Sequence, residues 1–593
     1  MGLLLAQVDK IATWLTPVWI IAAGIGLAYI LILLFLGVIN ALGRLPAVSR
    51  VGASRLGRSV AGSITAILLF AGSIVLFYTV VGDSSRYTDA IRERLPTQFA
   101  LYAGFMLLVS AVIGYGFWTL LSPRGLEEGN ILANEGFLSW VGYLFTGMTI
   151  FAALGLVLGF FPGFGVPRIV DDPRGLVQSL TRIPFVGEKT TGVFELPPSA
   201  INDQGTPIRV DFSGAELRGF TLKSNQELEI ASVPLTPLLS SQRIIKVPST
   251  SAAQEIRVQK GGIVGNEWVE NLYVVNRGAN VATVEIRWLL LPVYPEIRVI
   301  PWIVGIISTS YLLLLCGMVL MPKISAISLA TFKSEVTQPL YLLVMILGGL
   351  FVVVSIYIPY NTFGEDVKMY KDSGLTLLRV MAIFVAVWAA GKSVAEEIDG
   401  RTALTVLSKP VSRRQFILGK FLGISLAVGL LFLVLGLWFV TWVAYKPVYD
   451  MVEAVRSNIE WSECYVAAVN MIAPLFLSFL EVIIFVAIAV AISTRLNVLP
   501  SLIICFSIYV LGHLTANLVN SARVVEAFEP VVLFSQVISI VIPVLDHFDM
   551  QTAINTDASV PLDYLGWLIV YTILYGTMTV LLALVLFEDR DLA

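Results

Sequence analysis

The residues best placed for a chemical task form a charged stretch at 396–423, which joins two long apolar runs. Its sequence is EEIDGRTALTVLSKPVSRRQFILGKFLG. Leu404 and Leu407 can share one face of a short helix that Pro410 would end. The cations that follow, at the start of the next apolar run, are Arg413, Arg414 and Lys420. This order predicts a short amphipathic helix next to phosphate headgroups at a membrane surface.

Sequence motifs for catalysis are absent from the chain. The phosphate-binding pattern GxxxxGK[ST] does not occur, and the nearest string, Gly187-Glu188-Lys189-Thr190, lacks its Gly-Lys pair and upstream glycine. Two histidines, His513 and His547, and three cysteines give neither metal-ligand spacing nor a disulfide framework. We therefore expect no catalytic residue, no metal site and no cofactor bound by this chain.

Glu481 lies in the middle of the apolar run 464–492, where a charge is costly unless it faces protein or water. Two interpretations stay open: it lines a translocation path or the seam of a dimer, or it is a bonded glutamate that only fixes packing. Arg379 lies one turn inside its own run, so we expect it to extend to the outer headgroups. Neither an inverted repeat nor paired intramembrane charges are evident, which argues against an ion-driven transporter.

Long apolar runs recur along the chain. Of 593 residues, 57% are hydrophobic and 14% are charged, whereas a soluble protein carries roughly 25% charged residues. Runs near the length of a bilayer crossing must be helical, because backbone groups in lipid bond internally. We predict a polytopic α-helical membrane protein with about eleven transmembrane helices, near 17–39, 60–81, 99–121, 137–161, 299–320, 340–360, 374–394, 415–443, 464–492, 498–519 and 561–586. The shorter run 531–545 predicts a re-entrant or surface segment.

Residues 165–297 have a different character. They are rich in Pro, Gly and charged residues, and segments such as 206–212 and 283–290 alternate with period two. This pattern predicts an inserted β-sandwich-like domain. The predicted parts of the chain are an N-terminal four-span membrane region at 1–164, the β-rich domain at 165–297, a linking transmembrane helix at 298–321, and a core with an elbow helix and six spans at 322–593.

The distribution of Lys and Arg predicts the orientation. With a cytoplasmic C-terminus, the short inner loops hold 13 of these residues and the outer segments hold 9. We therefore expect the charged stretch to face the cytosol, and the N-terminus and the β-rich domain to lie outside the cytoplasm. The net charge of −3, without a basic block, argues against a nucleic-acid partner.

The charged stretch resembles the signature loop of type-2 ABC exporter permeases, especially the bacterial multicopper-maturation and gliding-type permease group. The resemblance rests, in this order, on Glu396-Glu397, Gly400-Arg401-Thr402, Leu407-Ser408-Lys409-Pro410-Val411-Ser412-Arg413 and Gly419-Lys420. It covers about 320–593. The segment Lys323–Pro339, with Ile324, Ile327 and Phe332 opposed to Lys333 and Glu335, is similar to the interfacial elbow helix at the start of family permeases. The ending 587–592 is also similar.

This resemblance implies a membrane permease subunit of an ATP-driven exporter, coupled to a separate ATPase subunit through the cytosolic loop 395–414. The implied coupling residues are Glu396, Glu397, Arg401, Leu404, Leu407 and Arg413. ATP and magnesium would then be bound by the partner ATPase. The permease would work as a homodimer or heterodimer, multi-pass, in a bacterial plasma (inner) membrane.

Three questions stay open in the sequence. The alternative functions are a secondary transporter and a non-transporting membrane assembly scaffold or sensor. The β-rich domain could bind an extracytoplasmic partner or act as a lid. Lipids, peptides and lipid-linked polysaccharides are all compatible with the apolar spans as cargo.

Overall fold

The computed structural model describes most of the chain, in two compact units. The described residues are 11–81, 95–123, 125–127, 137–160, 169–170, 172–198, 205–231, 244–247, 250–257, 268–276, 278–358, 365–400, 411–453, 459–524, 542–551, 554 and 560–588. The first unit comprises 1–70, 107–171 and 303–593, and the second comprises 71–106 and 172–302.

Helices make up most of the described structure. Those before the strands are α1 (Ile11–Gly43), α2 (Pro46–Ala53), α3 (Arg55–Val81), α4 (Leu95–Leu120), α5 (Phe137–Phe160) and α6 (Pro173–Arg182). Those after the strands are α7 (Val299–Leu320), α8 (Pro322–Val336), α9 (Pro339–Ile356), α10 (Asp366–Ala390), α11 (Glu396–Asp399), α12 (Arg413–Glu453), α13 (Trp461–Val469), α14 (Ile472–Ser493), α15 (Val498–Val524) and α16 (Leu562–Glu588).

Nine stretches of the described residues are long and apolar enough to cross a membrane. The predicted class, a polytopic helical membrane protein, is confirmed. The predicted number of about eleven spans is not confirmed. Helix α4 covers one further predicted span, and the apolar part of α15, Val498–Leu514, is shorter than a full crossing needs. The predicted segment 531–545 lies mostly outside the described residues.

The described residues of the second unit form eight strands in two four-stranded antiparallel sheets. The strands are β1 (Glu188–Leu196), β2 (Thr206–Ser213), β3 (Leu217–Ser224), β4 (Leu228–Ala231), β5 (Ile244–Val247), β6 (Thr250–Arg257), β7 (Trp268–Asn276) and β8 (Ala282–Leu290). Their orders are β1-β8-β3-β6 and β2-β7-β4-β5. Along β8, Val284, Ile286 and Trp288 are buried while their neighbours are more exposed, as the pleat of a half-buried strand requires. Phe212 from β2 packs near Trp288 in the same core.

The first unit has its core around α10, α12 and α14, whose spans are the most buried of the nine. The N-terminal helix α1 packs against this core and against α5. Trp19 on α1 donates a 2.8 Å hydrogen bond to the carbonyl of Ala152 on α5. The ring of Trp14 lies edge-on to Tyr445 of α12, with centroids 5.3 Å apart. The N-terminal helix is therefore integral to this unit.

Helix α8 crosses α12 at two glycines one helical turn apart. A Cβ at Gly419 would lie 2.6 Å from Ile327 of α8. A Cβ at Gly423 would lie 2.6 Å from both the carbonyl oxygen of Ser328 and the Cβ of Thr331. The spacing Gly-x-x-x-Gly lets two helix backbones approach closely in a membrane protein. These glycines fix where α8 sits on the core.

We expect Gly423→Ala to destabilise the protein by about 1–3 kcal/mol, because the new methyl would overlap backbone atoms that cannot move freely. The measurement is the thermal unfolding temperature in mild detergent. Gly429→Ala is the matched control on the same helix, since its nearest neighbours are Phe479 atoms at 3.7 Å or more. There, helix propensity predicts a gain of up to about 1 kcal/mol. Equal unfolding temperatures for the two variants would contradict the close crossing.

Candidate functional site

The charged loop leaves the membrane core through a change of helix type. Helix α10 continues into one π-helical turn, Gly391–Ala395, and then into α11. Single π-helical turns are frequent at functional sites. Residues 401–410 lie outside the described residues, and with them the predicted coupling residues Arg401, Leu404 and Leu407. The structure therefore describes only the two ends of the loop, up to residue 400 and from residue 411.

The two glutamates at the first end have different environments. Glu396 lies 2.5 Å from Lys392 one turn earlier, and both side chains are well exposed. An exposed pair of this kind contributes only about 0–1 kcal/mol. Glu397 lies 2.6 Å from Nζ of Lys420 on α12, where the lysine side chain is only 7% exposed. Glu397 therefore links the first end of the loop to the helix that begins at its second end, while Glu396 stays accessible.

Arg413 joins the second end of the loop to the last helix. Its Nη1 donates to the carbonyl oxygens of Phe587 at 3.3 Å and Glu588 at 2.8 Å, in the final turn of α16. A cation there satisfies carbonyls that lack partners inside the helix and complements the negative end of its dipole. The ring of Phe416, one turn along α12, stacks on Phe587 at 5.8 Å.

Helix α8 lies beside both loop ends and differs from its predicted pattern at one residue. Ile324 and Phe332 are buried and Lys333 is exposed, but Glu335 is 3% exposed. The prediction that Glu335 lies on the polar face with Lys333 is wrong. Its carboxylate turns inward because it accepts a 2.8 Å hydrogen bond from Gln338, whose own oxygen accepts from Trp388.

Burial leaves the Glu335 carboxyl poorly hydrated. Desolvation raises the pKa of Glu335 to about 8, against the opposing charge of Lys420. Helix α8 is not one of the candidate membrane spans. Burial therefore favours the protonated form of this carboxyl.

A cavity of about 660 Å³ opens between α8, the π-helical turn and the start of α12. Its charged lining residues are Lys323, Lys392, Lys420, Glu335 and Glu397. Apolar side chains such as Ile327 and Phe416 form part of its wall. Cations and carboxylates thus share one recess beside the charged loop.

A second charged cluster lies within the helical core. Glu481 on α14 is fully buried, and its Oε2 lies 3.1 Å from Nη1 of Arg379 on α10. Its Oε1 lies 3.7 Å from Nε2 of His513 on α15. The same imidazole nitrogen lies 3.0 Å from Arg379, and Nδ1 lies 3.3 Å from the carbonyl oxygen of Tyr509. A neutral histidine that donates from Nδ1 and accepts at Nε2 satisfies both contacts.

The ion pair between Arg379 and Glu481 is close but not well aligned. Among the described residues, neither Glu481 oxygen nor Arg379 Nε has a partner in hydrogen-bond geometry. Coulomb attraction at 3.1 Å still pairs the charges, since it depends on distance more than on angle. The cluster therefore connects α10, α14 and α15 without a well-aligned hydrogen bond between Arg379 and Glu481.

The family comparison agrees with this architecture. Residues 297–592 match the model of the family described as ABC-2 family transporter protein. This half of the chain is an ABC-2 family transporter domain. No curated protein matches the chain. The ABC-2 permease family is a membrane transport component, normally works with an ABC ATPase subunit, and is not itself the ATPase.

Within the ABC-2 domain, two sequence-based expectations about charge are wrong. Arg379 does not extend to the headgroups, because its side chain is 6% exposed and turns inward to Glu481. The intramembrane charges are also paired, contrary to the expectation drawn from the sequence. Arg379 and Glu481 are far apart in the chain, so no local spacing could indicate the pair. Arg379 lies one turn inside one predicted span and Glu481 lies in the middle of another, so their predicted depths gave no signal of the pairing either.

We expect Arg379→Ala to destabilise the ABC-2 domain by about 3–5 kcal/mol, because it leaves Glu481 buried without its cation. Replacing both, as Arg379→Met with Glu481→Leu, should recover most of that loss. Chemical unfolding in detergent measures the change. The control is Lys368→Ala, which removes the cation of an exposed pair with Glu365 and should cost less than about 1 kcal/mol. Equal losses for Arg379→Ala and Lys368→Ala would contradict a functional pairing in the core.

Proposed function

We propose that this chain is the permease subunit of an ATP-driven exporter, and that a separate ATPase moves it through the cytosolic loop 395–414. The main support for this proposal is that side chains at both ends of the loop are bonded to membrane helices. Glu397 holds the first end to Lys420, and Arg413 holds the second end to the final turn of α16. A force applied to the loop would therefore reach several helices together.

The transmission path follows those contacts. Helix α10 reaches the loop through the π-helical turn, and α12 starts from it at Arg413. Helix α8 is packed on α12 through Gly419 and Gly423. A displacement of the loop would thus shift α8, α10, α12 and α16 relative to the rest of the core. Coupling between ATP binding and cargo movement needs such a shared two-state element.

The ATPase contacts are assigned by exposure and chemistry. Glu396 is exposed and paired only weakly, so it can meet a cation of the partner. Arg401 would add a second polar contact, and Leu404 and Leu407 would fill an apolar groove. Glu397 and Arg413 instead position the loop, because their side chains are engaged within the chain. ATP and magnesium would bind to the partner ATPase.

The core cluster is the element we expect to rearrange during transport. Arg379 joins α10 to α14 through Glu481 and to α15 through His513. Since the pair is misaligned, small helix movements can exchange its partners at low cost. We propose that Glu481 borders the translocation path or the seam between two permease copies, and is exposed to water only in the cargo-open state.

We also propose an orientation of the chain in the membrane. The excess of Lys and Arg in the inner loops supports a cytoplasmic C-terminus. The β-rich region 165–297 would then lie outside the cytoplasm, where it could bind an extracytoplasmic partner. The protein would be a multi-pass component of a bacterial plasma membrane and would act as a homodimer or heterodimer.

A secondary transporter is the second candidate, and the core cluster favours it. Intramembrane pairs of Arg, Glu and His occur in ion-driven transporters. In proteoliposomes containing the purified complex, ATP dependence and vanadate inhibition would support the ABC exporter. Uptake driven by a proton gradient alone would support the secondary transporter.

We expect Glu396→Lys to reduce recovery of the ATPase roughly tenfold, which corresponds to a loss of about 1.4 kcal/mol in binding free energy. The assay is affinity purification from the native membrane, with vanadate-sensitive ATPase activity and mass spectrometry of the co-purified protein. The control is Asp563→Lys, an equal change in charge at an exposed residue at the opposite end of the last helix. Undiminished recovery with Glu396→Lys, or no ATPase with the unmodified chain, would contradict the assignment.

We expect Glu397→Lys to reduce ATP-dependent transport, because it puts two lysines together at the loop end. Exchanging the charges, as Glu397→Lys with Lys420→Glu, should recover at least half of the activity by rebuilding the internal pair. Transport per bound ATPase is the readout. Failure of the exchanged pair to recover activity would mean that Glu397 contacts the ATPase directly.

A further inference from the structure

The cavity beside the loop lies where membrane helices end. Helix α7 ends at Leu320 just before α8, and α9 begins at Pro339 just after it. The π-helical turn follows span α10, and α12 starts the next span. The cavity is lined from α8 and from the ends of two spans, α10 through its π-helical turn and α12, which places it at the level of the lipid headgroups.

One buried polar group in the cavity has no partner. The Thr331 side chain lines the cavity and is 3% exposed, and among the described residues its Oγ1 has no hydrogen-bond partner. A buried hydroxyl without a hydrogen bond costs about 1–3 kcal/mol. A ligand that offers a hydrogen-bonding oxygen next to Thr331 would remove that cost.

The charges around Thr331 are of both signs. Lys323 and Lys392 lie among the lining residues, where they suit a phosphate. Glu335 is buried and Glu397 is half-buried, where they suit an ammonium group. The volume of about 660 Å³ is within the range of ligand sites, roughly 300–1,000 Å³. The apolar wall, including Ile327 and Phe416, suits the start of an acyl chain.

We propose that this cavity binds the headgroup of a zwitterionic phospholipid with a primary ammonium group. The phosphate lies near Lys323 and Lys392 and accepts a hydrogen bond from Thr331. The ammonium lies between Glu335 and Glu397. An anionic lipid would bring no ammonium to Glu335, and a trimethylated headgroup could not donate a hydrogen bond to it.

Burial of Glu335 supports this arrangement. Its carboxyl has Lys420 from α12, Glu397 from α11 and Lys392 from the π-helical turn as charged neighbours, with Gln338 bonded to it. Lys420 is already paired with Glu397. Burial raises the pKa of Glu335, and the nearby charge of Lys420 offsets only part of that rise. A ligand ammonium would supply further positive charge beside this carboxyl.

The test is native mass spectrometry of the full chain in mild detergent with phosphatidylethanolamine, phosphatidylglycerol and phosphatidylcholine of identical acyl chains. We expect phosphatidylethanolamine to be retained at least about threefold more than either other lipid. Thr331→Val and Glu335→Gln should each reduce that retention several-fold. Thr337→Val is the control, because this exposed threonine bonds only to backbone carbonyls of its own helix end.

Each contrary result overturns the proposal. Equal retention of the three lipids by the unmodified chain, a comparison that needs no variant, would exclude ammonium recognition. Unchanged retention in both Thr331→Val and Glu335→Gln would place the lipid elsewhere. Displacement of phosphatidylethanolamine by an equal concentration of soluble glycerophosphoethanolamine would identify the ligand as the free headgroup rather than the lipid.

Discussion

The constraint behind this structure is that charges in a low-dielectric core must meet opposite charges. Glu481 is fully buried and is tolerated because Arg379 lies 3.1 Å away. At the edge of the core, Lys420 is nearly as buried and pairs with Glu397. The Arg379 pair joins α10 and α14, which are distant in sequence, and the Lys420 pair joins the consecutive helices α11 and α12, so both pairs help to fix which helices are neighbours. Removing one partner would leave a buried, uncompensated charge, and this would destabilise the helix arrangement.

The same constraint connects the loop to the core. The Lys420 pair and the Arg413 cap fix both loop ends to helices that continue through the membrane. Two glycines allow α8 to lie directly on α12 at the same place. Both described ends of the loop are therefore bonded to membrane helices, whereas the Arg379–Glu481 ion pair of the core cluster is poorly aligned. In the proposed mechanism, the bonded loop ends transmit a movement made by the ATPase, and the poorly aligned Arg379–Glu481 pair adjusts to it.

Sequence reasoning recovered the features that depend on local composition. The spans follow from apolar runs, and the buried faces of Ile324 and Phe332 follow from helical periodicity. The inward turn of Glu335 could not be predicted, because its partner Gln338 is in turn bonded to Trp388 of α10, which is distant in sequence. The partner of Arg379 was missed for the same reason, since pairing between helices leaves no periodic signal. The cap made by Arg413 requires knowing that α16 ends beside α12.

The most direct test of the central claim is the sidedness of the loop between α11 and α12. A single cysteine would replace Ser408 in a chain whose three native cysteines have been removed. A membrane-impermeant maleimide should label it in inside-out vesicles and leave it unlabelled in intact cells. Bound ATPase should reduce the labelling in vesicles. Labelling in intact cells would place the loop on the opposite side of the membrane from any ATPase and would contradict the account.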